Sequence, residues 1–179
     1  MDEIGPALTV TWRAFPLRPA PAAGVPFQGT YREQGWRRCG LMAAGDGIVF
    51  TPWPHPALPG WSLPALEAGK CAALQGAEAF ERVHLRLYRA FFTESRDIAH
   101  RGEVERIVAE EGVDVDRFRR DYAAGAGREA VIDDYRAAIA DGVRSIPTVI
   151  VPETGRTLVG LADLRQYREA VDEAAHAAS

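Results

Sequence analysis

Residues 142–151 read GVRSIPTVIV, and this stretch decides the fold prediction. Gly142 follows a helical pattern, and glycine is the residue that most often ends a helix. Thr148–Val151 is an uninterrupted β-branched run, which predicts a short strand. Pro147 lies directly before this run, although a proline has no backbone donor. Two structures are compatible with that position: a trans proline that opens an edge strand, or a turn with a cis peptide bond.

The composition is that of a globular protein that buries one sizeable core. Of the 179 residues, 47% are hydrophobic and 26% are charged, and the formal net charge of −4 argues against a nucleic-acid surface. No apolar run approaches the roughly 18 residues that span a bilayer. The first residues, MDEIGPALTV, lack the features of a secretory signal. We therefore expect a cytoplasmic protein with neither a nucleic-acid partner nor a membrane partner.

The two cysteines, Cys39 and Cys71, lie 32 positions apart and form neither a CxxC pair nor a zinc half-site. The four histidines show no metal-ligand spacing, so we predict no metal site. Arg37 and Arg38 precede Cys39, and positive charge favours a thiolate. Cys39 is therefore the one candidate for a reactive thiol, with an inert, partly buried thiol as the alternative.

Hydrophobic periodicity divides the first three quarters of the chain into a strand, an irregular segment and a helical block. Residues 8–15 (LTVTWRAF) alternate in polarity, which predicts a strand. Residues 16–61 are rich in proline, glycine and tryptophan, which predicts irregular structure with a short helix at 30–38. Residues 62–141 show helical spacing interrupted by glycines, which predicts five consecutive helices.

The period changes again after Gly142. The run 148–151, the turn PETG and a second short run at 157–160 predict a β-hairpin, and 161–174 predicts a closing amphipathic helix. This order indicates an α/β sheet domain interrupted by an all-helical insertion. The predicted domains are a sheet portion at 1–61 and 142–179, which includes the long irregular segment 16–61, and a helical insert domain at 62–141.

Four stretches, in this order, resemble the DsbA-like thioredoxin family, and in particular its cytosolic branch of dithiol-disulfide isomerases and 2-hydroxychromene-2-carboxylate isomerase-like proteins. The stretches are VTWRAFPLRP, SLPALEAGKCAALQG, LYRAFFTESRDIA, and GVRSIPTVIV followed by LVGLADL. The resemblance implies a thioredoxin-like α/β fold with an all-helical insertion. It also implies that SIPT is the cis-proline loop of that fold.

The family's site has two halves, and the resemblance carries one of them to this chain. One half is a CxxC, CxxS or serine motif at the start of the first helix, and the other is the cis-proline loop. The resemblance implies that Ile146 pairs its backbone with a substrate peptide or glutathione, that Pro147 orients Ile146, and that Ser145 and Thr148 flank the site. It implies a thiol- or disulfide-containing peptide or a small-molecule thiol as the partner. We expect no bound cofactor, with glutathione or another low-molecular-weight thiol as the candidate.

The other half of the family's site is not found ahead of residues 8–15. We therefore expect an incomplete thioredoxin-like fold, without the first strand and first helix, and we assign no catalytic residue. Three interpretations stay open: a truncated copy in which residues 1–7 are the tail of a helix, direct pairing of the two remaining strands, or completion of an edge by another chain, such as a homodimer. The predicted function is a DsbA-like thiol-disulfide oxidoreductase or isomerase domain that is inactive as given. The alternatives are a glutathione-dependent kappa-type isomerase or transferase and a non-catalytic thioredoxin-like binding module.

Overall fold

The computed structural model describes residues 8–177, which form seven α-helices and two small antiparallel sheets. In chain order the elements are β1 (Val25–Pro26), α1 (Tyr31–Ala43), a 3-10 turn (Ala44–Asp46), β2 (Ala57–Leu58), α2 (Leu63–Ala73), α3 (Ala77–Phe92), α4 (Arg101–Ala109), α5 (Val115–Ala123), α6 (Arg128–Ala140), β3 (Thr148–Val151), β4 (Arg156–Val159) and α7 (Leu164–Ala177). Within these residues no helix is both long enough and apolar enough to cross a membrane. Residues 1–7, interpreted above as the tail of a helix, lie outside the described residues.

The chain divides into two compact units, and the boundary falls inside α6. The helical unit comprises residues 16–133, and the hairpin unit comprises the described residues of 1–15 and 134–179. The predicted domains differ from these units in two segments: residues 16–61 belong to the helical unit, and residues 134–141 belong to the hairpin unit. An aromatic cluster accounts for the first difference, because Trp36 and Trp53 pack against Phe91 and Phe92 of α3.

The five predicted helices between 62 and 141 are confirmed as α2–α6, with ends that differ by at most three residues. They form because apolar residues recur at helical spacing and face one another. The core shared by α2–α5 is fully or almost fully buried and consists of Ala68, Cys71, Ala72, Val83, Leu87, Ala90, Val104, Ile107, Val108, Phe118 and Tyr122. The helix predicted at 30–38 is also confirmed, and it continues to Ala43 as α1.

A buried carboxylate joins the ends of three helices in the helical unit. Glu67 of α2 is completely buried, and its two carboxylate oxygens each accept a hydrogen bond of 2.7 Å, one from Arg101 and one from Arg128. Arg101 also donates to the carbonyl of Tyr122 and lies 3.9 Å above the centre of its ring. Because a buried charge is tolerated only when it is paired and hydrogen-bonded, these contacts fix how the helices meet.

The strand predicted at 8–15 is wrong, since no sheet of the described residues includes this segment. Its backbone is held by a side chain instead: the Ala14 N–H donates to one carboxylate oxygen of Asp134 at 2.7 Å, and the Arg13 guanidinium donates to the other at 3.0 Å. A strand needs a neighbouring strand for its ladder, and β3 pairs only with β4 here. The direct pairing of 8–15 with 148–151 is therefore also not found in the described part of the chain.

The predicted hairpin is confirmed. β3 and β4 pair antiparallel, with Thr148 opposite Val159 and Val151 opposite Arg156. α7 packs Ala170 into the hairpin unit and is tied to β4 by an ion pair of 2.7 Å between Arg156 and Glu173. β3 therefore pairs with β4 along one of its edges, and no strand of the described residues pairs with its other edge.

Candidate functional site

The loop between α6 and β3 carries three of the four predicted substrate-binding residues, Ser145, Ile146 and Pro147, and the fourth, Thr148, is the first residue of β3. Gly142 has a φ of +74°, the left-handed conformation that ends a helix at low cost, and the Val143 N–H donates to the Ala138 carbonyl at 2.8 Å. The chain then turns into the loop, where the Ile146–Pro147 peptide bond is cis. The amino-acid pattern left both isomers open at this bond.

Hydrogen bonds on both sides of Ile146 hold the loop in place. The Pro147 carbonyl accepts from the Gly160 N–H at 2.8 Å, and the Thr148 hydroxyl donates to the Ser145 carbonyl at 2.7 Å. Within residues 8–177, neither the N–H nor the carbonyl of Ile146 has a hydrogen-bond partner. The side chain of Ile146 is also 44% exposed. The structure therefore brings Ser145, Ile146, Pro147 and Thr148 together with Ile146 as the unpaired member.

The bond between Gly160 and Pro147 also shows which way the backbone of β3 faces. In an antiparallel pair, residues alternate between those that bond the partner strand and those whose N–H and carbonyl face the opposite side. Since the Pro147 carbonyl is hydrogen-bonded to the residue that follows β4, the backbone groups of Val149 and Val151 also face β4. Ile146, Thr148 and Ile150 consequently direct their backbone groups away from β4, towards an edge at which no described strand pairs.

Cys39, the candidate reactive thiol, lies on α1 of the helical unit and is half-buried. Its neighbour Arg37 is engaged elsewhere, because its guanidinium donates to Glu33 one helical turn earlier at 2.7 Å. Residues one or two positions apart on a helix do not face each other, so the adjacency of Arg37 and Arg38 does not by itself bring charge to the sulfur. The reactivity of Cys39 stays a prediction.

Cys71 lies in the core of the helical unit and is fully buried. Desolvation raises the pKa of its thiol to about 11, and the hydrogen bond from the Gly127 N–H, which acts in the opposite direction, offsets only part of this effect. Near neutral pH the thiol is therefore protonated, and it is also out of reach of a substrate.

Two tryptophans of the irregular segment, Trp36 and Trp53, belong to the core. The indole N–H of Trp36 donates to the Thr51 carbonyl at 2.9 Å, and that of Trp53 donates to the Ala57 carbonyl at 2.8 Å. Both side chains are buried against the aromatic residues of α3. These two side chains therefore form part of the core of the helical unit.

Sequence reasoning missed Asp134, whose side chain is 97% buried in the hairpin unit, where it accepts from the Ala14 N–H and from the Arg13 guanidinium. A signal for it exists in α6. Val131 and Asp134 lie three positions apart, so they share a face of this helix, and both are buried. An acidic residue on the apolar face of a predicted helix indicates a buried carboxylate that needs donors.

The hairpin followed by a helix, together with the block of helices before them, defines a thioredoxin-like fold with a helical insertion. The family model of the DSBA-like thioredoxin domain matches residues 1–172. The chain therefore belongs to this family, as the four sequence stretches indicated.

Solved structures agree on the fold. A proposed protein disulfide isomerase from Nitrosomonas europaea is similar with a TM-score of 0.71 at 15% identity, over 87% of this chain and 79% of that one. The cytosolic disulfide reductase DsbM from Pseudomonas aeruginosa is similar with a TM-score of 0.55 at 21% identity, over 86% of this chain and 78% of that one. A structure of DsbM with GSH is similar with a TM-score of 0.56 at 20% identity, over 84% of this chain and 76% of that one.

Proposed function

We propose that this chain is the partner-binding part of a DsbA-like thiol-disulfide oxidoreductase or isomerase domain, and that its 179 residues contribute no nucleophile to the exchange. It binds a thiol- or disulfide-containing peptide or a small-molecule thiol at Ser145, Ile146, Pro147 and Thr148. We place this activity in the cytoplasm, in keeping with the cytosolic DsbM among the similar structures.

One observation carries the proposal: Ile146 presents an unpaired backbone donor and acceptor among the described residues, directly ahead of the strand β3. A backbone in that state binds a second extended chain through main-chain hydrogen bonds. The Thr148 hydroxyl and the Gly160 N–H hold the carbonyls on either side of Ile146, so the binding groups are held in place before the ligand arrives.

The proposed lack of exchange activity rests on the two thiols. The sequence contains no CxxC. Attack on a disulfide requires an accessible thiolate, and burial keeps the Cys71 thiol protonated and enclosed. Cys39 lies on α1, and the guanidinium of its neighbour Arg37 donates to Glu33.

Glutathione is the small-molecule partner we propose, and a glutathione-dependent kappa-type isomerase or transferase is the second candidate function. The observation that favours glutathione is the similarity to a DsbM structure with GSH. Glutathione has peptide groups that can pair with the N–H and carbonyl of Ile146, so the same site suits both candidates. A non-catalytic module with a purely structural role would bind neither glutathione nor cysteine peptides.

A titration of the ¹⁵N-labelled chain with reduced glutathione, followed by NMR, tests the proposal. We expect saturable shifts of the amide signals of Ser145, Ile146 and Thr148, and no shifts of those of residues 153–155 in the turn at the far end of the hairpin, which serves as the internal control. Oxidised glutathione and a short cysteine-containing peptide should produce shifts in the same residues. Shifts that are absent, or that lie only outside residues 145–148, would contradict the proposal.

A further inference from the structure

We propose that a cavity of the helical unit binds a small organic ammonium ion. The cavity has a volume of about 480 Å³ and is lined by residues from three segments of that unit, 21–24, 53–61 and 97–100. Cavities that bind small molecules commonly measure about 300–1,000 Å³. This binding goes beyond the proposed function, because the four residues named there all belong to the hairpin unit.

The charges around the cavity favour a cation. Asp97 lines it, and none of the lining residues is an arginine or a lysine, although the chain contains 21 of these. One Asp97 oxygen accepts from the Ala99 N–H at 2.9 Å, and the other has no partner among the described residues. The adjacent Arg96 does not neutralise this carboxylate, because its guanidinium donates to Glu103 and Glu110. The Asp97 carboxylate is therefore available to a cationic ligand.

The two histidines that line the cavity do not cancel its negative charge. The His100 ring accepts at Nδ1 from the Glu103 N–H at 3.3 Å, so this nitrogen carries no proton and the ring is uncharged. The His55 ring packs edge to face against the Trp53 ring, with 5.5 Å between their centres. An ordinary histidine is mostly uncharged at pH 8. At that pH the lining thus combines one carboxylate with uncharged aromatic rings.

Indole rings supply the second feature that an ammonium ion requires. Trp53 and Trp61 both line the cavity. Among aromatic side chains tryptophan attracts cations most strongly, and aromatic rings are the recurring recognition element for quaternary ammonium groups. Trp53 is buried and its indole N–H is bonded to the Ala57 carbonyl, whereas Trp61 is only half-buried. We therefore assign the main contact with the ligand to Trp61.

Contacts inside the helical unit hold the walls of the cavity in place. β1 pairs with β2, and a Cβ at Gly60 would lie 2.3 Å from the Ala22 carbonyl oxygen, so the first two lining segments touch. The Ser62 hydroxyl accepts from the Arg18 N–H at 3.0 Å, and the Ser62 N–H donates to the Arg18 carbonyl at 2.9 Å. Walls that are fixed before the ligand arrives reduce the entropy lost on binding.

A titration of the ¹⁵N-labelled full chain with choline at pH 8, followed by NMR, tests the proposal. The matched control ligand is 3,3-dimethylbutan-1-ol, the uncharged analogue of choline in which carbon replaces nitrogen. We expect choline to shift the indole N–H signal of Trp61 in a saturable way and to bind at least about tenfold more tightly than the alcohol. The indole signal of Trp12, which does not line the cavity, should stay unchanged. Equal affinities for the two ligands, or no saturable shift of the Trp61 signal, would overturn the proposal.

Two aspartate variants separate binding in the cavity from a general attraction of cations to the chain. Asp97→Asn removes the charge but keeps an oxygen that can accept from the Ala99 N–H, so choline affinity should fall at least about threefold while affinity for the alcohol stays the same. Asp46→Asn is the control, because Asp46 is exposed and does not line the cavity, and it should bind choline like the wild type. Unchanged choline affinity in Asp97→Asn would overturn the proposal. An equal loss in both variants would also overturn it, since both change the net charge of −4 by the same amount.

A pair of variants at position 61 tests the aromatic contact. Trp61→Leu removes the ring, whereas Trp61→Phe keeps a weaker aromatic face, so choline affinity should fall from the wild type to Trp61→Phe and further to Trp61→Leu. The affinity of these variants is measured from the indole signal of Trp53, and their circular dichroism spectra should stay those of the wild type. If Trp61→Leu bound choline as tightly as the wild type, the proposed site would be wrong. If Trp61→Leu did not fold, the comparison of choline with the alcohol in the wild type would decide.

Discussion

The helical unit and the hairpin unit differ in how their backbone and polar groups are hydrogen-bonded and buried. In the helical unit, the buried carboxylate of Glu67 has both oxygens bonded to arginines, and the aromatic rings of Phe118 and Tyr122 are completely buried. In the hairpin unit, β3 leaves half of its backbone groups without a strand partner among the described residues, and its isoleucine and valine side chains are partly exposed. The helical unit thus has a packed core around a paired carboxylate, whereas β3 presents backbone groups at one edge.

The difference shows where stability and binding reside in this chain. A fully packed core with satisfied polar groups contributes most of the free energy of folding. An unpaired strand edge contributes little, but it can form main-chain hydrogen bonds with a partner. The next four predictions concern substitutions in the helical unit or at the start of β3. Each compares a variant with a reference protein.

The largest expected effect is the loss of the buried carboxylate. Glu67→Ala leaves Arg101 and Arg128 without their common acceptor and leaves a cavity in the core, so the free energy of unfolding should fall by about 3–5 kcal/mol. Urea denaturation followed by circular dichroism measures this change. Glu78→Ala is the control, because Glu78 is almost fully exposed and lies 3.8 Å from Arg82, and it should change stability by less than about 0.5 kcal/mol. An equally small change in the free energy of unfolding for Glu67→Ala would mean that the contacts of Glu67 with Arg101 and Arg128 do not stabilise the core.

The buried thiol should give the helical unit a pH dependence at high pH. Folding raises the pKa of Cys71 from 9.0 to about 11, so the folded chain binds its proton more tightly than the unfolded chain does. The resulting stabilisation is complete below pH 9 and is lost as the pH rises through 9 to 11, by about 2 kcal/mol at pH 11. The measurement is the free energy of unfolding against pH for the wild type and for Cys71→Ala, which lacks this contribution. Parallel curves for the two proteins between pH 9 and 11 would contradict the burial of the thiol.

Close packing at the start of α6 should make one glycine irreplaceable. A Cβ at Gly127 would lie 2.4 Å from the Glu67 carbonyl oxygen and 3.1 Å from the Cys71 sulfur, so Gly127→Ala should lower the free energy of unfolding by about 1–3 kcal/mol. Gly35→Ala is the matched control in α1, where a Cβ meets nothing within 4 Å. It should stabilise the chain by about 0.5–1 kcal/mol, because alanine favours a helix interior over glycine. If thermal unfolding showed that both variants change stability in the same direction, close packing around Gly127 would not explain the result.

The smallest effect is expected in the open loop. Thr148→Val removes the hydroxyl that donates to the Ser145 carbonyl but keeps the shape of the side chain, so stability should fall by about 0.5–1.5 kcal/mol. Glutathione affinity, measured by the NMR titration, should fall severalfold because the loop is held less firmly. Thr148→Ser retains the hydroxyl and should restore most of the affinity. If Thr148→Val bound glutathione like the wild type, the hydrogen bond would have no part in positioning Ile146.

The elements that could be predicted from sequence are those with strong local signals. Glycine stops and apolar periodicity placed α2–α6 within a few residues, and the β-branched runs around PETG placed the hairpin. The strand at 8–15 could not be predicted correctly, because alternation of polar and apolar residues shows that a strand is possible but not that a partner strand exists. The backbone of that segment is held by Asp134, about 120 residues away, and such a contact leaves no local pattern.

The candidate site was only partly predictable for a similar reason. SIPT marked the loop, but the state of each backbone group depended on the register of β3 against β4, which a single sequence does not specify. The assignment of 16–61 to the sheet portion failed to anticipate the aromatic cluster with α3 because contacts between distant aromatic residues have no sequence period.

Reduction of insulin disulfides tests most directly the central claim that this chain binds thiol partners but contributes no nucleophile. The assay uses the full 179-residue chain with reduced glutathione as the reductant, and it compares the wild type with Cys39→Ser. We predict that both proteins leave the rate at that of glutathione alone. A rate clearly above that background for the wild type, returned to background by Cys39→Ser, would contradict the account and would make Cys39 a catalytic thiol.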